Sequence, residues 1–326
     1  MAKIVDWDRH IGRRLRLRDL HVFFAVVQAG SLAKAAAQLN VSQPAVSQLI
    51  ADLEHTLDVK LFDRSSRGVV LTLYGRALLT RGRAAFDELK QGIREIEFLS
   101  DPNAGEVKFG CPEGIAPILP PIIESFSQRY PKIILDIYEE EFASFAAKLR
   151  SRSLDFVLQR LHGRPRADDH AFDDLNVEML FDDELVVVVG IKSLWSRRRK
   201  IDLSELVNER WILATPPSWN HRIVSEAHRI RGLSMPKVVL STFSTHIRAS
   251  MVGSGRFIAT FPKSVAHFYA KQFELKVLQV DLPVRPWPVA ILTLKNRTIS
   301  PVVHLFIDHV RRSTASIYAG RSVPQQ

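Results

Sequence analysis

A run of small and polar side chains between residues 42 and 48 has the chemistry needed to read the edges of DNA bases. Glutamine amides can pair with adenine, serine hydroxyls can bond to several bases, and an alanine methyl can contact thymine. Ser42 is a good N-cap for a helix, and Pro44 suits its first turn, where the missing N–H costs nothing. We therefore predict that a helix presents these residues to a major groove, namely Ser42, Gln43, Pro44, Ala45, Ser47 and Gln48.

The residues before this helix predict a second, shorter helix joined to it by a tight turn. Ala35 and Ala36 are small enough for two helices to approach closely, and Asn40 tolerates the left-handed conformation that a sharp turn requires. Ser31, just ahead of the shorter helix, is a further candidate DNA contact. The alternative is an ordinary helical hairpin with a solvated polar face. An apolar stripe could pack the longer helix on its neighbour, and it consists of Val46, Leu49, Ile50 and Leu53.

Flanking segments add a third helix and a hairpin to this pair. Apolar residues repeat at intervals of three and four between Leu20 and Val27, as on one face of a helix. Residues 61–72 place two short apolar runs on either side of a polar, glycine-containing centre, which predicts a β-hairpin wing. Arg64 and Arg67 lie near its tip, where they could reach phosphates or a minor groove. Together these elements predict a winged helix-turn-helix over residues 18–75.

The segment from residue 20 to residue 79 resembles the DNA-binding domain of LysR-type transcriptional regulators. The resemblance extends over nearly the whole chain, with strong motifs in the first part and weak ones behind. It implies a dimerising linker helix and a C-terminal domain, similar to periplasmic binding proteins, that binds a small-molecule effector. The residues that carry it are Phe23-Phe24-Ala25-Val26-Val27, Gly30-Ser31-Leu32, Ala35-Ala36, Leu39, Val41-Ser42-Gln43-Pro44-Ala45-Val46-Ser47, Leu53-Glu54, Leu61-Phe62-Asp63-Arg64 and Leu71-Thr72.

Composition favours an anionic partner and gives no sign of a membrane protein. The chain has 326 residues, enough for two or three domains, and a formal net charge of +10. Residues 1–86 hold thirteen Lys or Arg against seven Asp or Glu, which favours DNA over solubility alone. One cysteine rules out an internal disulfide and fits a reducing compartment. Without a secretory signal or an apolar run of about 18 residues, we expect a cytoplasmic protein with no membrane partner.

A basic extension precedes the predicted DNA-binding domain, and a long helix follows it. Residues 1–17 are either disordered or in contact with the DNA backbone. Thr72 can cap a helix that runs to about Leu99, with residues 76–100 as a linker. A narrow seam on this helix predicts a homodimer, with packing on its own domain as the alternative. The resemblance adds a homotetramer and RNA polymerase as partners. The seam consists of Leu79, Gly82, Phe86, Leu89, Ile93 and Ile96.

Strands and helices alternate beyond a turn-rich boundary at residues 100–105. This rhythm predicts an α/β domain of parallel sheets with crossover helices. Among the expected helices are Ala116–Tyr130 and Leu203–Val207. The resemblance implies two lobes within residues 105–315. Lobe I would comprise about 105–176 and 281–315, and lobe II about 177–280.

Loops at the carboxyl ends of the predicted strands are the expected ligand site, since open α/β sheets bind ligands there. By resemblance they line a cleft between the lobes. Many family members hold an effector carboxylate with Ser or Thr in the first loop, whereas this chain has Glu113, which would repel an anion or prefer a donor-bearing group. Arg160 suits a carboxylate, and the two side chains could also pair with each other. The expected effector-binding residues are Pro112, Glu113, Gly114, Phe142, Arg160, Pro216, Ser218, Trp219, Thr260 and Phe261.

Other reactive residue types give no sign of catalysis or metal binding. Trp219 and Phe261 could contact a ligand ring or belong to the core. Cys111 is better explained by packing, since a redox sensor usually needs a second cysteine. The eleven histidines show no metal-ligand spacing, so neither a metal nor another cofactor is expected. Motifs of hydrolases, nucleotide-binding proteins and metalloproteases are missing, so we predict that the chain is no enzyme.

The sequence therefore predicts a transcriptional regulator that binds double-stranded DNA and responds to a small-molecule effector. One alternative is an architectural DNA-binding protein without an effector, although a two-lobed C-terminal region argues against it. The other is an enzyme or solute-binding domain with an appended DNA-binding domain.

Overall fold

The computed structural model describes residues 14–65, 68–140, 142–161, 169–216, 218–283 and 285–318. The chain forms two compact units, Met1–Lys90 and Gln91–Gln326. Their described parts confirm the predicted fold class, a winged helix-turn-helix, a long helix and a two-lobed α/β domain. The predicted basic extension lies outside the described residues as far as residue 13.

The described part of the first unit contains three helices, a hairpin and most of a long helix. The two hairpin strands pair antiparallel, as a wing should. In chain order the elements are α1 (Leu17–Ala29), α2 (Leu32–Gln38), α3 (Gln43–Leu57), β1 (Phe62–Ser65), β2 (Gly68–Leu71) and α4 (Leu73–Ser100).

Short-range sequence signals set the boundaries of these helices. Gly30 ends α1 with a φ of 66°, and Asn40 has a φ of 54° in the turn before α3, both in the left-handed region. Ser42 caps α3 by accepting a backbone N–H at 3.4 Å. Thr72 caps α4 in the same way and accepts the N–H of Gly75 at 3.0 Å.

The apolar stripe of α3 packs on α1, as its spacing predicts. Val46 and Ile50 are fully buried and share a cluster with Phe23 and Val26. Burying a side chain of this size stabilises the fold by about 1.5–3 kcal/mol. With its apolar face held in this core, α3 keeps its polar face toward solvent.

The described part of the second unit alternates strands and helices. Short 3₁₀ turns lie at Ala116–Ile118, His170–Phe172, Leu194–Arg197 and Leu203–Leu206. In chain order the other elements are β3 (Ala104–Gly110), α5 (Pro120–Arg129), β4 (Lys132–Tyr138), α6 (Phe142–Arg150), β5 (Phe156–Arg160), β6 (Leu175–Asp183), β7 (Leu185–Gly190), β8 (Trp211–Leu213), α7 (Trp219–Ile230), β9 (Val238–Ser241), α8 (Thr245–Gly253), β10 (Ile258–Pro262), α9 (Lys263–Tyr269), β11 (Leu275–Val277), β12 (Trp287–Leu294) and α10 (Pro301–Tyr318).

Two mixed sheets form the two lobes. Their strand orders are β4-β3-β5-β12-β6 in lobe I and β11-β7-β10-β8-β9 in lobe II. β3 is parallel to β4 and β5, but β12 runs antiparallel to both of its neighbours. In lobe II, β7 is antiparallel to β10 and β11. The prediction of parallel sheets is wrong for these strands, because β7 and β12 enter from the other lobe and not through a crossover helix.

The boundary between the lobes lies later than the sequence predicts. β6 pairs with β12 and therefore belongs to lobe I. Lobe II cannot begin at residue 177 and starts instead after the crossing at Glu184, directly before β7. The chain returns to lobe I in the segment before Trp287, where β12 begins.

Two predicted helices are shorter than expected. The helix predicted over Ala116–Tyr130 is a 3₁₀ turn at Ala116–Ile118 followed by α5. Pro120 and Pro121 cannot donate the backbone hydrogen bonds that would join the two. The helix predicted over Leu203–Val207 is a single 3₁₀ turn, the usual length for that structure.

One apolar cluster runs through both lobes. Phe109 and Phe156 stack in lobe I with ring centroids 5.0 Å apart, and the cluster also includes Val265 and Ala266 of α9 in lobe II. α9 packs against the 3₁₀ turn at Ala116–Ile118 of lobe I. Apolar packing therefore contributes to the position of one lobe against the other.

No single helix among the described residues is long and apolar enough to cross a membrane. α1 and α2 would reach the necessary length and composition only as a pair, and a bend of 116° separates them. The described part of the chain contains no group of three or more His, Cys, Asp or Glu side chains that could hold a metal ion.

The predicted seam of α4 divides into a packed part and an exposed part. Phe86 meets Phe24 of α1 edge to face with ring centroids 5.2 Å apart, and Gly82 lies against the same ring. Here packing on its own domain, the alternative interpretation, is what the structure shows. Farther along, Leu89, Ile93 and Ile96 are 49%, 58% and 65% exposed, so only this half of the seam is available to a second chain.

The start of α4 passes too close to the wing for any side chain at residue 75. A methyl group on Gly75 would lie 2.2 Å from the Leu61 carbonyl oxygen and 2.7 Å from the Leu71 side chain. We expect Gly75→Ala to destabilise the first unit by about 1–3 kcal/mol. Gly92, on the same helix, would meet nothing within 4 Å, so Gly92→Ala should stabilise the helix by up to about 1 kcal/mol. Hydrogen exchange of the wing amides should be faster in Gly75→Ala and unchanged in Gly92→Ala, and equal exchange rates in the two variants would contradict the close approach.

Candidate DNA interface and effector cleft

The N-terminal turns of α3 present the predicted base-reading residues to solvent. Gln43, Pro44 and Ala45 are exposed and Ser47 is half-buried. Gln48 is exposed, and its amide donates to Asp52 on the next turn at 2.8 Å. The N-cap Ser42 is also exposed and fixes the first turn. Apart from the tethered Gln48, these side chains form a short polar surface at one helix end, as a helix inserted in a major groove requires.

The wing brings an arginine to this surface. Nη1 of Arg64, on β1, lies 3.4 Å from the Ser47 hydroxyl oxygen, so the guanidinium stands beside the base-reading face of α3. Arg64 is exposed and could reach a phosphate from there. Arg67 lies outside the described residues. Ser31 precedes α2 and is half-buried.

A buried carboxylate fixes the wing to α3. Glu54 is only 3% exposed, and its Oε1 accepts the backbone N–H groups of Leu61 at 2.8 Å and Phe62 at 3.3 Å. Its Oε2 accepts from Lys60 Nζ at 2.9 Å. Burial alone would raise the pKa of Glu54, but these hydrogen bonds outweigh it and hold the pKa below its ordinary value. Glu54 thus positions Arg64 through β1.

Sequence reasoning did not single out Glu54, although a signal for it exists. It stands four residues after Ile50, on the same buried side of α3. A charged residue on an apolar face is rarely buried unless it has partners. The spacing therefore indicates a buried carboxylate, while the wing amides that satisfy it become visible only in the fold.

Within the second unit, Glu113 joins the two lobes. It lies in the loop after β3 of lobe I, and its Oε1 accepts the backbone N–H of Thr245 of lobe II at 2.6 Å. The Thr245 hydroxyl lies 3.3 Å from the same oxygen. Thr245 is the first residue of α8, so the carboxylate sits where the helix dipole is positive. Neighbouring Pro112 and Gly114 are half-buried.

Asp183 forms a second junction between the lobes, and Arg160 of lobe I is its ion-pair partner. Nη1 of Arg160 pairs with Asp183 at 2.9 Å, and the Arg160 side chain is 4% exposed. Asp183 also accepts the backbone N–H of Ser264, near the start of α9, at 3.1 Å. The guanidinium lies 3.5 Å from the carbonyl oxygen of Gly114. Arg160 is thus committed to an ion pair between buried groups, and its predicted contact with an effector carboxylate would have to compete with Asp183.

Several predicted effector residues lie in the protein core. Phe261 and Thr260 are fully buried in β10, so they cannot contact a ligand in this arrangement. The core position considered for Phe261 is the one the structure shows. Phe142 stacks on Phe172 with ring centroids 5.3 Å apart and packs against the cluster on the other face of the lobe I sheet.

The loop before α7 places its residues differently from the prediction. Pro216 is exposed, and Ser218 caps α7 by accepting the N–H of His221 at 3.2 Å. The backbone of Trp219 begins α7, while its side chain is outside the described part of the structure. The next residue, Asn220, is buried and donates to the Thr260 hydroxyl at 2.8 Å.

A cavity of about 530 Å³ opens between α7 and the segment that returns to β12. Small-molecule sites commonly span about 300–1,000 Å³. Exposed Arg222 and Arg285 make the opening basic, and Trp287 adds an aromatic wall. The predicted effector residues Pro216, Ser218 and Trp219 precede this cavity in the chain and are not among its lining residues. Its lining residues are His221, Arg222, Ile223, Ser225, Glu226, Pro283, Arg285 and Trp287.

Cys111 packs in the core beside the first loop. It is fully buried, and burial together with the negative charge of Glu139 raises the pKa of its thiol despite the nearby Arg160. A thiol held protonated in this way is a poor nucleophile, which supports packing as its role.

Comparison with protein families yields two matches that together span most of the chain. The family described as "LysR substrate binding domain" matches residues 100–315. The family described as "Bacterial regulatory helix-turn-helix protein, lysR family" matches residues 17–76. The HTH-type transcriptional regulator TdcA of Escherichia coli (strain K12) is 29% identical over 296 residues, which are 90% of this chain and 91% of TdcA. The transcriptional dual regulator GltC of Bacillus subtilis (strain 168) is 25% identical over 297 residues, 91% and 96% of the two chains.

Solved structures share the fold over the length of the chain. A full-length OxyR variant from Pseudomonas aeruginosa superposes with a TM-score of 0.64 at 23% identity, covering 96% of this chain and 99% of its own. Full-length CbnR complexed with its target DNA gives a TM-score of 0.51 at 20% identity, covering 92% and 100%. At these identities the likeness establishes the fold alone.

Replacing the buried Glu54 carboxylate by an amide should loosen the wing. Glu54→Gln gives the Leu61 and Phe62 N–H groups a weaker acceptor and sets an amide NH2 against Lys60, so we expect a loss of about 1–3 kcal/mol at neutral pH. Because the pKa of Glu54 is lowered by folding, its stabilisation is complete above the unfolded pKa of about 4.3 and is lost as the pH falls through the lower folded pKa. Calorimetric unfolding of both proteins from neutral to acidic pH should show the difference shrinking, and a constant difference would contradict the role given to the charge.

Removing the partner of Arg160 should weaken the junction between the lobes. Asp183→Asn removes the ion-pair partner that the buried Arg160 guanidinium has in β6 and weakens the acceptor for Ser264, and we expect a loss of about 3 kcal/mol or more. The adjacent Glu184 is the matched control. It pairs with Lys263 at the surface, so Glu184→Gln should cost less than about 1 kcal/mol. Thermal unfolding of the two variants compares them directly, and equal losses would show that Asp183 does not hold the lobes together.

Proposed function

Because the chain belongs to the LysR family of bacterial transcriptional regulators, we propose that it binds operator DNA in a manner controlled by a small molecule. The ligand would lie between the two lobes of the effector domain. The observation that carries the DNA-binding part is the polar surface at the start of α3. Its residues are held outward by the buried stripe of the same helix and flanked by Arg64 of the wing.

Two such surfaces from a dimer would read half-sites in successive turns of the major groove. We propose that the dimer forms through the exposed half of the α4 seam. Leu89, Ile93 and Ile96 lie three or four residues apart on one side of the helix, and Leu99 continues the row at 75% exposure. A narrow apolar stripe of this kind is typical of a helix–helix seam between chains. Assembly of two dimers into a tetramer, and contact with RNA polymerase, are proposed from the family.

An effector can change DNA binding only through its different affinity for two lobe arrangements. The two junctions of Glu113 and Asp183 and the cavity beside α7 all involve groups from both lobes or from the segment that connects them. A ligand that alters these contacts would therefore favour one arrangement. Coupling of this kind usually amounts to about 1–3 kcal/mol.

We infer that the second unit binds its ligand without transforming it. A ligand controls an attached DNA-binding domain through its different affinity for two lobe arrangements, which requires no chemical conversion of the ligand. Relatives such as TdcA are transcriptional regulators. Operator DNA as the target places the expected site of action in the cytoplasm.

The base-reading role of α3 is tested by removing single side chains from its exposed surface. The probe is a set of DNA fragments that the purified protein enriches from a random pool. We expect Gln43→Ala and Ser47→Ala each to weaken binding to the enriched sequence by about 1–3 kcal/mol while leaving binding to unrelated DNA unchanged.

The matched control is His55→Ala, an exposed residue at the other end of α3. It should change neither specific nor unrelated binding. An equal loss of both in the Gln43 and Ser47 variants would contradict base reading by these residues. Failure of the protein to enrich any sequence would contradict the proposed function as a whole.

A further inference from the structure

The first turn of α8 contains a site for an anion, and a group of the same chain occupies it. Oε1 of Glu113 lies 2.6 Å from the Thr245 backbone nitrogen and 3.3 Å from the Thr245 hydroxyl. Ser244 precedes them as the N-cap, and its hydroxyl accepts the N–H of Ile247 at 3.3 Å. α8 belongs to lobe II, whereas the carboxylate comes from a loop of lobe I. The occupant thus reaches the site from across the cleft.

A buried cation one turn later provides a second, independent feature of this site. Arg248 is 4% exposed, and its Nη1 donates to the Thr260 carbonyl at 3.2 Å while the guanidinium carbon lies 4.9 Å from the centre of the Phe261 ring. Among the described residues its buried Nε has no hydrogen-bond partner. A buried donor without an acceptor is costly, and the charge of Glu113 acts on this guanidinium, so the group favours a negative charge at the position of Glu113.

The charge of Arg248 persists despite its burial. Burial lowers the pKa of its guanidinium to about 10, while the charge of Glu113 and the proximity of Tyr269 act in the opposite direction. The group is therefore protonated at neutral pH. A protonated guanidinium and a helix N-terminus together form a strong site for a carboxylate.

The present occupant can leave this site without disturbing the core. Glu113 is half-buried in a loop, and a methyl group on the adjacent Gly114 would meet nothing within 4 Å. Two carboxylates cannot share one small site, because like charges at that distance repel strongly. A carboxylate from outside would therefore have to displace Glu113.

We propose that Glu113 is an internal occupant of the carboxylate subsite of the effector site, and that the effector is a small organic carboxylate which takes its place. The inference rests on the proposed function, since it names the chemistry of the ligand and the group with which that ligand competes. Displacement breaks the contact between Glu113 and Thr245 across the cleft. Effector binding thereby exchanges a bond between the lobes for a bond to the ligand, which changes the preference of the lobes for one arrangement.

Emptying the subsite tests the proposal, with acetate as the probe carboxylate. Glu113→Ala vacates the space, so acetate should raise its thermal unfolding temperature in a saturable manner. Sodium chloride at the same ionic strength should not do so. The wild-type protein, whose subsite is filled, should bind acetate more weakly than the variant by about tenfold or more.

Two further variants test whether acetate binds at the first turn of α8 and not elsewhere. Glu113→Gln fills the space with a neutral amide, so it should be less stable than the wild type and should gain nothing from acetate. Glu140→Ala removes a different half-buried carboxylate of lobe I, one that is hydrogen-bonded to Lys148 and Ser144. Since that change opens no site at α8, acetate should not stabilise this variant either.

Saturable stabilisation confined to Glu113→Ala supports the proposal. Equal stabilisation of all four proteins would overturn it, because acetate would then act elsewhere, and so would no stabilisation of Glu113→Ala. Binding of each variant to the enriched DNA fragments is measured in parallel. If the proteins bind DNA selectively but acetate does not stabilise Glu113→Ala, the internal-occupant inference is rejected and the proposed regulator function stands. If the wild-type protein does not bind the enriched sequence in preference to unrelated DNA, the proposed function itself is rejected.

Discussion

A carboxylate that leaves water must be given hydrogen-bond donors, and the chain uses this constraint at three places where one element is positioned against another. Glu54 fixes the wing to the recognition helix through the backbone amides of Leu61 and Phe62. Asp183 and Glu113 reach from lobe I to the first turns of α9 and α8 in lobe II. The placement of both functional surfaces depends on these bonds, because apolar packing alone is not directional.

The same constraint explains how a ligand could change the contacts between the two lobes. At the Asp183 junction the carboxylate is paired with Arg160 of its own lobe and is nearly closed to solvent, so a competing group has little access to its bond with Ser264. The Glu113 junction is half-exposed and rests on a loop, so a competing group can reach it. One contact between the lobes is therefore structural, and the other is open to exchange.

Features governed by near neighbours in the sequence could be predicted, and those governed by distant partners could not. The stripe of Val46 and Ile50 and the turn at Asn40 follow from local spacing and backbone preference. By contrast, the sequence offered Arg160 an effector carboxylate or Glu113 as its partner and missed Asp183, because that pairing depends on how β6 runs to the crossing between the lobes. Phe261 was undecided for the same reason, and the antiparallel course of β12 was missed because its approach from the other lobe leaves no local signal.

Footprinting of the purified protein on the DNA upstream of its own gene, at several salt concentrations, tests most directly whether this is a sequence-specific regulator. We expect sharp protection over an inverted repeat, and the protected region should be longer than one dimer could cover. This protection should remain as the salt concentration rises, while binding to flanking DNA falls. Uniform, salt-labile protection without a preferred site would contradict this expectation and would indicate an architectural DNA-binding protein.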